Sequence, residues 1–290
     1  MTIVIGLAPG TKGHAALQLG AVLARSRAED LVVATVVKAP WPPDPFQGDR
    51  EYLAYQEQVA KTAVEQARTY LGAAPLGVEY VVHRARSVST GLLQIVEGRQ
   101  VSMVVLGSSS TGVLGQVMLG AVTERLLHSA DLPTVIAPRG YRASSSTELT
   151  RVSVAFGRAD HDSALLTRAA RRAHDFGSTL RVVCFAVRPM AGANEAVELD
   201  AEQSVVDQWR HRLEADVAST MGAVTDDVST QVVLGEGATW DAAIQDVEWT
   251  HGDLLVVGTS SGPLSRFFLG SHAAKIVRNS PVPVLLLPRS

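Results

Sequence analysis

Apolar and polar positions along this chain are organised in blocks. Short runs of Ile, Val and Leu recur between longer stretches in which apolar residues return every three or four positions. Ile3–Leu7, Leu31–Val37, Val78–Val82, Met103–Leu106 and Thr134–Ala137 read as strands, and most are apolar enough to be covered on both faces, as buried parallel strands are. The segment beginning at Ala15, then Glu51–Leu71, Thr90–Val96 and Val113–Ser129, have helical spacing. The proline-rich stretch Ala39–Pro45 excludes both helix and central strand. The order then restarts. Val152–Phe156, Leu180–Val187, Val228–Leu234, Leu254–Val257 and Val284–Leu287 read as strands. Ser163–Phe176, Glu202–Met221, Trp240–Val247 and Leu264–Arg278 read as helices, with Met190–Ala201 a variable connection. Strands alternating with helices predict parallel sheets flanked by helices, joined by right-handed crossovers into a doubly wound topology.

The repeat is closest around one loop. Val104-Val105-Leu106-Gly107-Ser108-Ser109-Ser110-Thr111-Gly112 leads through Leu119-Gly120-Ala121 to Leu132-Pro133-Thr134-Val135-Ile136. Leu255-Val256-Val257-Gly258-Thr259-Ser260-Ser261-Gly262 leads through Leu269-Gly270-Ser271 to Val282-Pro283-Val284-Leu285-Leu286. Each copy reads as buried strand, Gly/Ser loop, helix, then a strand after proline. In doubly wound sheets ligands collect beyond the carboxyl ends of the strands, and these loops stand at that edge. A loop of small residues lets backbone N–H groups approach a phosphate, and the following helix adds the positive end of its dipole. The bland alternative is that glycine and hydroxyl residues merely turn the chain and cap the helix.

Two copies in 290 residues predict two domains, 1–142 and 151–290, joined by a linker at 143–150 that lacks apolar periodicity. A hydrophobic content of 46% suffices for two cores, and a net charge of -3 leaves no electrostatic footprint for a nucleic-acid backbone. The single cysteine, Cys184, lies in an apolar run and predicts a buried thiol. The opening Met1-Thr2-Ile3-Val4-Ile5-Gly6 lacks a secretory pattern, and no apolar stretch is long enough to span a bilayer, so a soluble cytoplasmic protein without membrane contact is expected.

Both halves resemble universal stress protein domains, making the chain similar to tandem, two-domain members of that family. The resemblance implies, for each half, a five-stranded parallel sheet with helices on both faces, of the adenine nucleotide alpha hydrolase-like type. It also implies that the last strands pair, forming a dimer-like unit within one chain; association of two chains is left open. The family's ATP signature is glycine, two residues, glycine, nine residues, glycine, then serine or threonine. In the second half Gly258 opens it, Thr259 and Ser260 follow, Gly262 stands near the second glycine in a loop one residue shorter, and Gly270 and Ser271 close it. Gly235 and Gly237 match the glycine-containing turn after the third strand. In the first half Gly107, Ser108, Ser109, Gly112 and Gly120 form the weaker copy, because Ser110 and Ala121 replace the second glycine and the closing hydroxyl. The family's nucleotide binders carry an aspartate after the first strand; Gly6–Gly10 and Ala155–Ala159 contain none. The resemblance thus implies ATP, with magnesium, or another adenine nucleotide in the second half, and leaves open that no cofactor binds.

Other constellations read as structure. Asp160 and Asp162 suit a helix N-cap, and His83, Arg84 and Arg86 a solvated turn with an anion contact as the alternative. Pro9–Gly13 lacks the ordered glycine-lysine-hydroxyl ending of a P-loop. His128, His174, His211 and His272 lack the paired spacing of zinc ligands, so no metal site is expected. Trp41, Trp209, Trp240 and Trp249 are packing residues by default, with interface anchoring the alternative. No catalytic constellation is legible. The function expected from the resemblance is a non-catalytic regulatory module of bacterial stress physiology; a slow ATPase and a nucleotide-free interaction protein are the rivals.

Overall fold

The computed structural model describes residues 1–39, 47–72, 77–157, 159–187, 208, 211–212, 214–220, 229–262 and 265–288. In the first half β1 (Thr2–Gly6) leads through a 3-10 turn (Gly10–Gly13) into α1 (His14–Arg27). Then come β2 (Asp30–Lys38), α2 (Gln47–Leu71), β3 (Val78–Ala85), α3 (Val88–Val96), β4 (Val101–Gly107), α4 (Ala121–Ser129) and β5 (Thr134–Ala137). The second half repeats the order with β6 (Arg151–Ala155), α5 (Ala159–Asp175), β7 (Thr179–Val187) and β8 (Thr230–Gly237). It closes with α6 (Trp240–Gln245), β9 (Asp253–Gly262), β10 (Ser265–Phe268), α7 (Ser271–Asn279) and β11 (Val284–Pro288). Residues 214–220 are helical, inside the predicted Glu202–Met221 helix. Pro40–Pro45 with Trp41, Trp209 and Met190–Ala201 lie outside the described residues.

The strands form one sheet in the order β3-β2-β1-β4-β5-β11-β9-β6-β7-β8, with β10 hydrogen-bonded to β9 off this path. Within each half the five main strands are parallel. The halves meet where β5 and β11 pair antiparallel, Val135 opposite Leu285, both fully buried. Burying side chains of this size stabilises by about 1.5–3 kcal/mol each. The two prolines before these strands donate nothing, yet their carbonyls accept equivalent bonds, Val104 N–H to Pro133 and Leu255 N–H to Pro283, both at 2.9 Å.

Alternation along the strands divides the core. Ile3 and Ile5 face one layer with Leu17 and Leu23 of α1 and Ala63 and Ala67 of α2, a cluster that continues into α5 of the second half. Val4, Val104 and Leu106 face the other, beneath Leu92 and Ile95 of α3 and Leu126 of α4. Across the joint Arg27, at the end of α1, pairs with Asp175, at the end of α5, at 2.8 Å. The linker is packed onto the first half: Arg25 donates to the carbonyls of Ser144 (3.3 Å) and Thr147 (3.1 Å), and Leu149 is buried.

Two predicted helices are shorter than their spacing suggests. Val113–Ser129 is helical only from Ala121, because Gly115 adopts φ +82° and its N–H donates to Arg139 rather than along a helix. Leu264–Arg278 is divided: Ser265–Phe268 turns back as β10 along β9, and the helix starts after Gly270. His83 and Arg84 lie within β3 rather than in a turn, and α5 begins at Ala159, so Asp160 and Asp162 fall inside its first turn rather than ahead of it.

Candidate functional site

In the first half the strand order reverses between β1 and β4, and each strand ends in a small residue there. β1 ends at Gly6 and β4 at Gly107, after which the chain leaves the sheet with Ser108 N–H donating to Ala137 at 2.9 Å. The loop is held by its own hydroxyl. Ser108 Oγ accepts from Met118 N–H at 2.7 Å, while Ser109 N–H donates to the Met118 carbonyl at 2.9 Å. Arg139, just after β5, fastens the tip by donating to the Gly112 carbonyl at 2.5 Å. The Gly112 site leaves no room for a side chain, since a Cβ there would lie 2.8 Å from Met118 Cβ.

A cavity of about 680 Å³ opens over this switch point, lined by Gly107, Ser108, Ser109 and Gly120 together with residues of the β1–α1 turn and of the segment after β5. That volume falls in the range of small-molecule sites. Its floor is the amino terminus of α4. Gly120 is the N-cap and brings no side chain, and the first intrahelical bond runs from Glu124 N–H to the Gly120 carbonyl at 3.0 Å. The N–H groups of Ala121, Val122 and Thr123, all lining the cavity, therefore have no acceptor within the helix. A Cβ at Gly120 would meet only Ser109 Cβ, at 3.8 Å.

Among the described residues no carboxylate lines the cavity, whereas His14, Arg139 and Arg142 do. Glu124, the acidic residue of the α4 first turn, lines a different cavity, between the halves, with His128 and Arg278. Unpaired N–H groups, a helix dipole and two guanidinium groups favour an anion. Tyr141 belongs to the same wall, and burial pushes its phenol up to about 12.

The second-half positions are arranged differently. Gly235 and Gly237 lie in β8, separated from β9 by two strands, β6 and β7, in the sheet order. A Cβ on Gly235 would land on the Ala243 carbonyl oxygen, and one on Gly237 would sit 2.5 Å from Ala243 N. These glycines let α6 rest directly on the strand. Gly258 and Thr259 remain in the sheet opposite Leu287 and Pro288, and the buried Thr259 hydroxyl donates to the Leu287 carbonyl at 3.4 Å. Ser260 and Gly262 continue as strand and pair with Phe268 and Ser265 of β10. Gly270 is the N-cap of α7, without a side-chain cap, and Ser271 is its first residue. Where the first half leaves the sheet after Gly107, the second half continues into a hairpin.

The flanking residues separate the halves further. Leu7 and Phe156 follow β1 and β6 with matching bonds, to Ala34 (2.8 Å) and Val183 (2.9 Å), so a larger buried ring stands in the second half. Phe156 also accepts from the buried Cys184 thiol at 2.8 Å. His83 and Arg84 are engaged on the protein itself, with Gln94 at 2.8 Å and with Glu57 respectively. Arg139, Tyr141, Arg142, His14 and Gln18 escaped the sequence reading; their one sequence cue is position, immediately after a strand or at the start of α1 on the carboxyl edge. Among the described residues no group of His, Cys, Asp and Glu is arranged to hold a metal ion, and no helix is long and apolar enough to cross a membrane.

The model of the Universal stress protein family matches residues 1–138 and 148–288. The chain is similar to universal stress protein Rv2319c of Mycobacterium tuberculosis, with 39% identity over 296 residues that cover 99% of this chain and 100% of the relative. It is more distantly similar to universal stress protein Rv2005c of the same species, at 26% identity over 99% of this chain and 97% of the relative. Among solved structures, a universal stress protein from Archaeoglobus fulgidus DSM 4304 superposes with a TM-score of 0.65 at 16% identity, covering 100% of this chain and 98% of that one. At that identity the likeness is one of fold.

Proposed function

Because this chain belongs to the universal stress protein family in both of its halves, we propose that it is a non-catalytic regulatory module of stress physiology whose first half binds an anionic small molecule. ATP or another adenine nucleotide is the leading candidate. The observation that carries this reading is the cavity at the first-half switch point, floored by the uncapped α4 terminus and lined, among the described residues, by no carboxylate. A polyphosphate would take the N–H groups of Ala121–Thr123 and the field of Arg139 and Arg142, and the apolar residues Leu7 and Leu92 would wall its organic part. Among the described residues no carboxylate lines the cavity to act as a general base, which supports binding over ATPase chemistry. Any magnesium would be carried by the phosphates themselves.

The regulatory step follows from the back wall. Arg139, Tyr141 and Arg142 line the cavity and run directly into the connection to the second half. A ligand that draws on these residues changes the footing of that connection. Binding energy then acts on the relation between the halves.

Calorimetric titration with ATP, alongside mass spectrometry of any co-purified ligand, tests the reading. The wild-type chain and Gly270→Val bind, Gly120→Val does not, and no phosphate is released. Binding that survives Gly120→Val and is lost in Gly270→Val would move the site to the second half. Steady phosphate release would replace the binding module with an ATPase.

A further inference from the structure

The cavity of the first half has a neighbour at the β1–α1 turn. A second cavity, of about 490 Å³, lies between α1 and α2 and shares Leu7, Ala8, His14 and Gln18 with the first. We infer that the two are chambers of one bent cleft, and that besides a nucleotide it takes an anion carrying a linear apolar chain. The inference rests on the reading that the first-half cleft is the ligand site, and it adds a second class of ligand for that site.

The two chambers differ in chemistry. The first holds the uncapped N–H groups of α4 and the guanidinium groups of Arg139 and Arg142. Among the described residues the second is lined by no Asp, Glu, Lys or Arg, and its depth is formed by Leu17, Ala63 and Ala67, all buried. Ala63 and Ala67 stand four residues apart and so share one face of α2; their short side chains leave a groove that any larger pair would close. Gln66, Thr69 and Tyr70 are exposed at its mouth. At the neck, Ala8 offers only a methyl group.

A nucleotide held at α4 would engage the first chamber and leave the second without partner atoms, forfeiting the dispersion contacts of its lining. A chain running from the α4 terminus past Ala8 supplies them. The head belongs with Arg139 and Arg142 because both guanidinium groups line the first chamber, whereas among the described residues no Arg or Lys lines the second. Carboxylate and phosphate heads satisfy the first chamber alike, so the shared chemistry is an anionic head on an unbranched apolar chain.

The test is calorimetric titration of the full chain with ATP, with octanoate, decanoate and dodecanoate, and with dodecyl phosphate, each below the concentration at which chains aggregate. Affinity of the carboxylates is expected to rise about fourfold per added CH2 until the chamber is filled. Ala63→Phe fills the chamber from the core, and Gln66→Trp does so from an exposed position where folding is not at stake; circular dichroism melts verify both. Each is expected to weaken dodecanoate at least about tenfold while leaving ATP within about twofold. The ratio of dodecanoate to dodecyl phosphate affinities identifies the preferred head. ATP binding without alkyl-anion binding overturns this inference and leaves the proposed function standing, whereas no binding of any probe overturns both. Alkyl-anion binding that is indifferent to chain length, or to both variants, also overturns the two-chamber cleft.

Discussion

The backbone N–H of Ala143 donates to Oε1 of Gln18 at 2.8 Å, across 125 positions of sequence. Gln18 lines both chambers of the cleft, and Ala143 begins the connection between the halves. Tyr70, at the mouth of the second chamber, donates to the carbonyl of the same Ala143 at 3.3 Å. The residue that leaves the first half is thus held by two side chains that also face the ligand space. Replacing Gln18 by Ala removes one of these bonds and is expected to cost about 0.5–1.5 kcal/mol in urea unfolding. In hydrogen exchange the Ala143 amide should lose protection in the variant, while the amides of β7 and β8 should not.

Two glycines that the family resemblance assigns alike to a nucleotide site should behave oppositely. Gly120 has open space where a Cβ would go, so Gly120→Val is expected to cost about 1 kcal/mol or less as a lost N-cap. Its effect should fall on anion binding. A Cβ on Gly235 would collide with the backbone of α6, so Gly235→Ala is expected to cost about 1–3 kcal/mol with ligand affinity unchanged. Thermal unfolding with calorimetry on both variants checks the contrast, and a stable Gly235→Ala that has lost binding would reverse the assignment.

Asp253 is fully buried at the amino-terminal edge of the second half, opposite the ligand edge. It accepts from Arg151 at 2.6 and 2.8 Å and from Thr250 N–H at 2.7 Å, with Arg181 Nη2 3.6 Å away. Arg181 is itself buried over the Trp249 ring and donates to Ser153 Oγ at 3.0 Å. Burial draws its guanidinium down to about 10 even though Asp253 acts the other way. Asp253→Ala leaves buried positive charge uncompensated and is expected to destabilise by about 3–5 kcal/mol in denaturant unfolding. Ligand affinity of the folded fraction should not change.

Tyr141 gives a pH signature. Burial raises its phenol from 10.0 to about 12, so the folded protein keeps a proton that the unfolded chain releases in that interval. The stability this supplies is complete below pH 10 and is lost as pH rises toward 12. Tyr141→Phe should flatten this part of the stability profile, and ultraviolet titration should lose its latest-ionising tyrosine. Loss of amplitude near pH 10 instead would place Tyr141 in water.

The alternating blocks made the architecture legible, because a buried parallel strand needs Ile and Val on both faces, and the repeat of Pro133 and Pro283 before β5 and β11 marked equivalent edges. The helix lengths were not legible. Val113–Leu119 has helical spacing, but the positive φ of Gly115 and the bond from Arg139 to Gly112 spend that segment on shaping a loop. Glycine carried the largest ambiguity. It permits ligand approach at Gly120 and helix approach at Gly235, and only the neighbouring backbone distinguishes them. Arg139, Tyr141 and Arg142 showed no motif, since they reach the cleft through the fold and not through spacing along the chain.

The central claim is that the ligand site lies in the first half, over the ends of β1 and β4. Hydrogen exchange of the full chain with and without saturating ATP tests it most directly. Protection is expected in peptides covering residues 7–18, 107–123 and 139–143, the last reaching into the connection between the halves. Protection confined to residues 235–271, or absent throughout, would contradict it.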